Sequence, residues 1–548
     1  MSEETATNQN VAQVTPARAE EAGAPGKPQE QLEVEEAELA DEDIVYPTGP
    51  KLWLTIGSMC IAQFLHGLDL TIVAVTVPSL TDEFKTLSDI GWYSAAYGLT
   101  ASSFVFFFGK LYTIFSLKSI FITGLVIFET GSLICTVAPN SAVFILGRAV
   151  AGLGASALQG GGFKLLRHCF PLSKLAIMGG MVMSCQSIGL VAAPAVGGGL
   201  TDAFGWRACY GINLPLGVIC IALTAYGFRD PMPNPDAALP LKDKLKRISV
   251  LGTLLVVPAI VCLLMALQWG GAKYGWKDPR IIVLFVLFGV LFSAFGYLQY
   301  RQGDDAILPP RIVKNRSILA AMWFSGCYNG ILAMTEYYIS IYFQGVRGFT
   351  PSKSGLLGLP MIGGLAVAGI AGAMGTNKIG YYFPSMFATS ILAPIASGLL
   401  TTVDLDASVV KVAALLGFLG AAVGFGAQAP QLAVQTVLAP KDVSLGGAVT
   451  MFGATMGSAL WICASATLFQ GRLVDQISQH SPSTNVTTLE TVGLSEIREV
   501  IGSQKLHGVL SGYNEAVVET LYMPLALGVA TILGSVAMER RSIKKKQD

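Results

Sequence analysis

From about residue 50 onward the chain is a succession of apolar runs, each roughly 17 to 25 residues long, separated by short polar turns. A helix needs about 20 such residues to cross a hydrocarbon layer about 30 Å thick. The pattern therefore predicts an all-α polytopic membrane protein with about fourteen spans. They start near Leu52, Trp92, Ser119, Ala142, Ala176, Tyr210, Ser249, Ile281, Ile318, Gly355, Phe383, Lys411, Leu445 and Ser511. Residues 1–50 break the pattern: rich in Glu, Ala, Pro and Gln, they hold too few large apolar groups to repay the entropy of ordering, and are expected to be a disordered acidic tail. No basic-then-apolar segment precedes the first span, which is expected to direct insertion itself.

Polar positions in the turns set the orientation. Lys164, Arg167 and Lys174 follow span 4, Arg229, Lys242, Lys244, Lys246 and Arg247 follow span 6, and Arg301, Arg311, Lys314 and Arg316 follow span 8. The chain ends on Arg540, Arg541, Lys544, Lys545 and Lys546, and turns of the other parity carry far fewer cations. Both termini are thus expected in the cytoplasm. The one long turn on the opposite side, residues 470–510, holds the sequon Asn485-Val486-Thr487, an expected glycosylation site, whereas Asn315-Arg316-Ser317 faces the cytoplasm and should stay bare. Ile497, Val500, Ile501 and Leu506 recur in that turn at helical spacing, as in a short amphipathic helix.

Composition agrees with a membrane chain: 52% of residues are hydrophobic and 13% charged, where a soluble domain carries about 25% charged residues. The formal net charge of +0 gives no basic footprint for nucleic acid. Nine cysteines sit mostly inside apolar runs without a CxxC pair, and read as small core hydrophobes. No metal or cofactor is expected.

Within span 5 the run Cys185–Leu200 carries Gly189, Ala193, Pro194, Gly197, Gly198 and Gly199. Small residues about four apart allow close helix approach, and a proline in a buried bundle can be tolerated. The helix reads as a moving seam. The turn TDEFKTLSDIGW after span 1 is echoed by YFQGVRGFTPSKSGLLGLP after span 9, and aligning Gly91 with Gly355 puts Asp69 within about one turn of the place matched by Glu336. The echo divides the chain into a six-helix half, 51–228, a linker with two inserted helices, 229–317, a second six-helix half, 318–538, and a basic tail, 539–548.

Four stretches in order, Leu68-Asp69-Leu70-Thr71-Ile72-Val73, Gly147-Arg148-Ala149-Val150-Ala151-Gly152-Leu153-Gly154, Gly189 to Gly199, and Trp206-Arg207 with Asn213-Leu214-Pro215-Leu216-Gly217, resemble the major facilitator superfamily. More narrowly they resemble its fourteen-spanner drug:proton antiporters, and Gly109-Lys110-Leu111-Tyr112-Thr113 is similar to fungal toxin-efflux members. The resemblance covers about residues 50 to 540. It implies two six-helix halves rocking about a central site, with the acidic residue of the first motif at Asp69. The turn after span 2 departs from the family's GxLxDrxGr, with Thr113 and Ser116 where Asp and the second Gly stand, and Ala193 replaces the glycine before the proline of span 5.

An ionisable group at the bilayer centre costs about 2.5 to 3.5 kcal/mol, so one inside a span is expected to face a cavity and a partner. Asp69, Arg148, Glu129 and Glu336 meet that description. Asp69 is expected to carry a proton, Arg148 to be the permanent cation beside it, and Glu336 to bind a second proton or a cationic substrate. Glu129, on a span outside the cavity in the resembled fold, is expected to make a structural hydrogen bond. His66, Gln159, Gln186, Tyr328, Asn329, Gln428, Gln431 and Trp461 are the candidate cavity wall, amides and aromatics suited to a medium-sized amphipathic molecule.

No G-x-x-x-x-G-K-[ST] phosphate loop is present to bind ATP, and no HExxH, GxSxG or paired-Asp motif suggests an enzyme. One proton moving down about two pH units and 100 mV supplies about 5 kcal/mol, enough for a concentration ratio in the thousands. The expected function is proton-coupled export of a toxin, secondary metabolite or drug by a monomer in the plasma membrane. A vacuolar or vesicle membrane, an importer of a small nutrient and a non-transporting sensor are the alternatives.

Overall fold

The computed structural model describes residues 49–86, 89–170, 172–228, 250–271, 273–303, 306, 308–438, 440–480 and 503–542. They build fourteen helical spans: α1 (Pro50–Phe84), α2 (Ile90–Ile114), α3 (Leu117–Thr136), α4 (Ser141–Cys169), α5 (Leu172–Phe204), α6 (Arg207–Gly211 continued by Asn213–Gly227), α7 (Val250–Trp269), α8 (Pro279–Gln302), α9 (Arg316–Ile341, ending in a π turn, Tyr342–Val346), α10 (Pro351–Ile379), α11 (Phe383–Leu400), α12 (Val409–Gly424 continued by Ala429–Val437), α13 (Pro440–His480) and α14 (Ser503–Thr520 continued by Tyr522–Ala537). Thirteen are long and apolar enough by composition to cross a membrane. The fourteenth, α2, is 25 residues long and carries Ser94, Thr100, Ser102, Ser103 and three tyrosines among its apolar residues. The acidic tail, Asn485 and the amphipathic stretch from Ile497 to Ile501 lie outside the described residues.

Side-chain caps set several starts by taking up backbone N–H groups that a helix leaves unpaired. Ser116 caps α3, Asn140 caps α4, Asn315 caps α9, Thr350 caps α10 and Ser408 caps α12. Pro194 inside α5 withholds the donor that would meet the carbonyl of Leu190. Thr71 Oγ1 of α1 donates to that carbonyl instead, at 3.4 Å.

Pairing of the helices shows the repeat. In the first half α1 packs on α5 and α6, α2 on α4, and α3 on α4 and α6; in the second α9 packs on α13 and α14, α10 on α12, and α11 on α12 and α14. The halves meet along two seams that the same repeat relates, α2 with α13 and α5 with α10. The echoed glycines sit at equivalent places in them: Gly91 lies against Ala466 of α13 and the Gln268 side chain of α7, and Gly355 against the backbone of Pro194 of α5.

The inserted hairpin is attached asymmetrically. Its helix α7 lies over the α2–α13 seam, where Ile260 and Leu264 join Ala95 and Leu99 of α2 and Ala459 and Cys463 of α13 in one apolar cluster. The carbonyl of Leu267 also accepts from Thr467 Oγ1 of α13 at 2.5 Å. Helix α8 packs on α7 and leaves Val283, Val286 and Val290 more than half exposed, as a lipid-facing helix does.

Candidate functional site

Asp69 lies near the middle of α1, where Gly67 rests on the carbonyl of Gln186 and Gly189 on that of Phe64, bringing α1 and α5 into backbone contact. Helix α4 approaches α2 and α3 just as closely through Gly152 against Tyr97 and Gly154 against Phe128. This packing aims Arg148 at Asp69. Arg148 Nη1 donates to Asp69 Oδ2 at 2.7 Å, Nη2 to the Asp69 carbonyl at 3.2 Å and Nε to the Tyr93 carbonyl at 3.0 Å. Both side chains are 1% exposed. The guanidinium carbon is 4.5 Å from the Tyr97 ring centre and 5.8 Å from that of Tyr210. Desolvation of this cation is therefore offset by one carboxylate, two carbonyls and two π faces.

His66 sits one turn from Asp69 and is fully buried. Its Nδ1 is 2.7 Å from Tyr97 Oη and its Nε2 is 2.5 Å from Gln159 Nε2. With the amide nitrogen as donor, Nε2 accepts and the ring proton resides on Nδ1, directed at the phenol oxygen. His66 thus stands behind Gln159, which is only half-buried.

The remaining wall candidates are distributed over four helices. Gln186 of α5, Tyr328 and Asn329 of α9, Gln431 of α12 and Trp461 of α13 are half-buried, and Gln428 is exposed. Trp461 packs on Gly330 and Gln431 on Gly447, while Asn329 Nδ2 donates to its own helix at Ser325. Glu336 is not among them. It lines a small pocket, about 10 Å³, with Val75, Pro194, Ile339, Ser354 and Met361, inside the contact between the halves, and its Oε1 accepts no hydrogen bond from another protein group.

That contact closes one end of the bundle. Gln344 Nε2 donates to the Val75 carbonyl at 3.2 Å, Tyr337 Oη to the Ile90 carbonyl, and the Ser352 amide to Asp202 Oδ2 at 3.2 Å. The glycine run of α5 serves two neighbours: Gly189 and Gly197 face α1, whereas Gly198 meets Pro351 and Ser352 of α10. Ala193 is fully buried beside Pro194.

Three participants escaped the reading of the sequence. Tyr93 and Tyr97, four apart on α2, hold Arg148 and His66, but tyrosines four apart are ordinary in a membrane helix. Asn213, quoted in its motif but given no role there, donates through Nδ2 to Ser132 Oγ at 3.1 Å. Glu129 corrects an expectation: neither carboxyl oxygen has a hydrogen-bonding protein partner, because the facing residue of α6 is Gly217, which offers space and no side-chain donor. Trp206 and Arg207 explain their own motif by donating to Glu83 Oε2 at 2.6 and 2.7 Å, which ties the end of α1 to the start of α6.

Residues 59–465 match the family model described as Major Facilitator Superfamily. The efflux pump roqT of Penicillium rubens is 39% identical over 90% of this chain and 92% of its own. The thioclapurine efflux transporter tcpA of Claviceps purpurea is 37% identical over 91% and 92%. In fold the chain is similar to the crystal structure of a bacterial homologue of the human lysosomal transporter Spinster, inward-facing and occupied, with a TM-score of 0.63 at 12% identity, covering 91% of this chain and all of that one.

Proposed function

Since the chain belongs to the Major Facilitator Superfamily and, within it, to the fungal efflux transporters, we propose that it exports a medium-sized amphipathic secondary metabolite or toxin in exchange for protons, with Asp69 as the coupling carboxyl. The observation that carries this reading is the buried Asp69–Arg148 pair at 2.7 Å, in the middle of α1 and one turn from His66, which is bonded to the half-buried Gln159. A permanent cation in the bilayer interior needs its counterion. A proton arriving at Asp69 cancels that counterion and releases Arg148 to other acceptors, which is a physical route from proton binding to helix movement. The name of the Claviceps relative assigns it a natural product, thioclapurine, and a substrate of that general kind suits a wall with few charges.

The proposed setting is the plasma membrane, with a monomer whose termini are both cytoplasmic and a glycan on Asn485 outside. The closed end described above is then the outer one, and the cavity opens inward. Purified protein in acid-loaded liposomes should collapse the pH gradient when a transported compound is added. Asp69→Asn should retain compound binding and lose uphill transport, and a variant that still drives export from a pH gradient refutes the coupling role. The importer alternative is separated by the same assay, since it would carry compound in the direction of the proton.

A further inference from the structure

Along α6, on which α1 and α3 both pack, acceptors outnumber donors. Asp69 Oδ1, Asn213 Oδ1 and both oxygens of Glu129 accept no hydrogen bond from another protein group, and the three residues are at least nine-tenths buried. Asn213 stands beside Asp69, and Glu129 lies within electrostatic reach of it. The Asn213 amide is already committed to Ser132, one turn from Glu129 on α3. Gly217, one turn from Asn213 on α6, leaves a slot that the Glu129 carboxyl fills, and a methyl group there would overlap it.

The other titratable groups around this stretch are few. Arg148 comes from α4, Cys135 from α3, Cys220 and Tyr210 from α6, His66 from α1, and Tyr97 and Tyr93 from α2. The guanidinium is bonded to Asp69, and Glu129 has no cation bonded to it. Electrical neutrality in a bilayer interior requires one further positive charge. Four orphan acceptor oxygens are where a proton would be held.

We propose that Glu129 is a second proton-binding carboxyl, sharing one proton with Asp69 across the Asn213–Gly217 stretch of α6. While Arg148 holds Asp69 as carboxylate, Glu129 is the carboxylic acid. Transfer makes Glu129 the carboxylate and Asp69 the acid, which frees Arg148 and leaves the total charge unchanged. The inference rests on Asp69 being the coupling carboxyl, and Glu129 acts through it as a positioning residue outside the substrate cavity.

Infrared spectroscopy of the full-length protein in nanodiscs tests this through the C=O stretch of protonated carboxyl groups. The wild type should show a band at neutral pH that Glu129→Gln removes. Asp69→Asn should make the same band titrate away on raising the pH, because Arg148 then requires Glu129 as its counterion. Should Glu129→Gln fail to fold, Gly217→Ala keeps the charge, displaces the carboxyl and should shift or abolish the band. A band indifferent to both Glu129→Gln and Gly217→Ala, or a Glu129 band unaltered by Asp69→Asn, overturns the shared proton. Uphill export surviving in Asp69→Asn instead removes the coupling role of Asp69, and the band measurements distinguish the two failures.

Discussion

Arg148 shows how one side chain can be held in a membrane interior: its nitrogens are directed to a carboxylate and two carbonyls, and its flat face rests on aromatic rings. Removing one member of such a pair leaves an uncompensated buried charge, which typically costs about 3–5 kcal/mol. Arg148→Ala is expected to destabilise the protein by that order, read as a lower midpoint of thermal unfolding in detergent, and Asp69→Asn in the same background should recover part of the loss. A midpoint unchanged by Arg148→Ala would mean that Asp69 finds another partner. Asp69 and Arg148 were legible in the sequence because a charge inside an apolar run is costly enough to demand a reason. Tyr97 was not, since nothing about a tyrosine in a membrane helix announces which cation it will meet. Glu129 was visible as a residue and misjudged in its surroundings, because the absence of donors opposite it depends on a glycine of another helix.

At the scale of the element, α5 and α10 are fitted by missing side chains. The backbone of Pro194 occupies the space a side chain at Gly355 would need, and Gly198 does the reciprocal service for Pro351 and Ser352. A larger residue at Gly355 cannot be relieved by turning a flexible side chain, because what it meets is backbone. Overpacking of this kind costs about 1–3 kcal/mol, and here it falls on the closed state alone. Gly355→Val is therefore expected to fold and to bind substrate but to populate the closed seam less, seen as faster labelling of a cysteine placed at Ser354. Equal labelling rates would show that the seam opens too rarely to matter. The glycine run of span 5 was readable as a close-packing helix, whereas the division of labour between α1 and α10 required the rotation of the helix, which spacing alone does not supply.

For the whole molecule, apolar run lengths were sufficient to count fourteen spans, and the duplicated glycine turn was sufficient to suggest the repeat. The place of the extra hairpin was not legible, because helices α7 and α8 are apolar throughout and carry no pattern that selects a neighbour. In the structure α7 contacts both halves at once, covering the α2–α13 seam, and among the described residues the hairpin does not reach the α5–α10 seam. Spin labels at Leu254 and Val474 should keep one separation through the transport cycle, while labels at Ile188 and Val367 should change theirs when substrate and pH are varied; motion in the first pair and none in the second would reverse the assignment.

Twin-seamed carriers offer a greasy passenger two side doors from the lipid. Here one is boarded over by the hairpin. A compound entering the vestibule from the lipid rather than from water would then pass between α5 and α10.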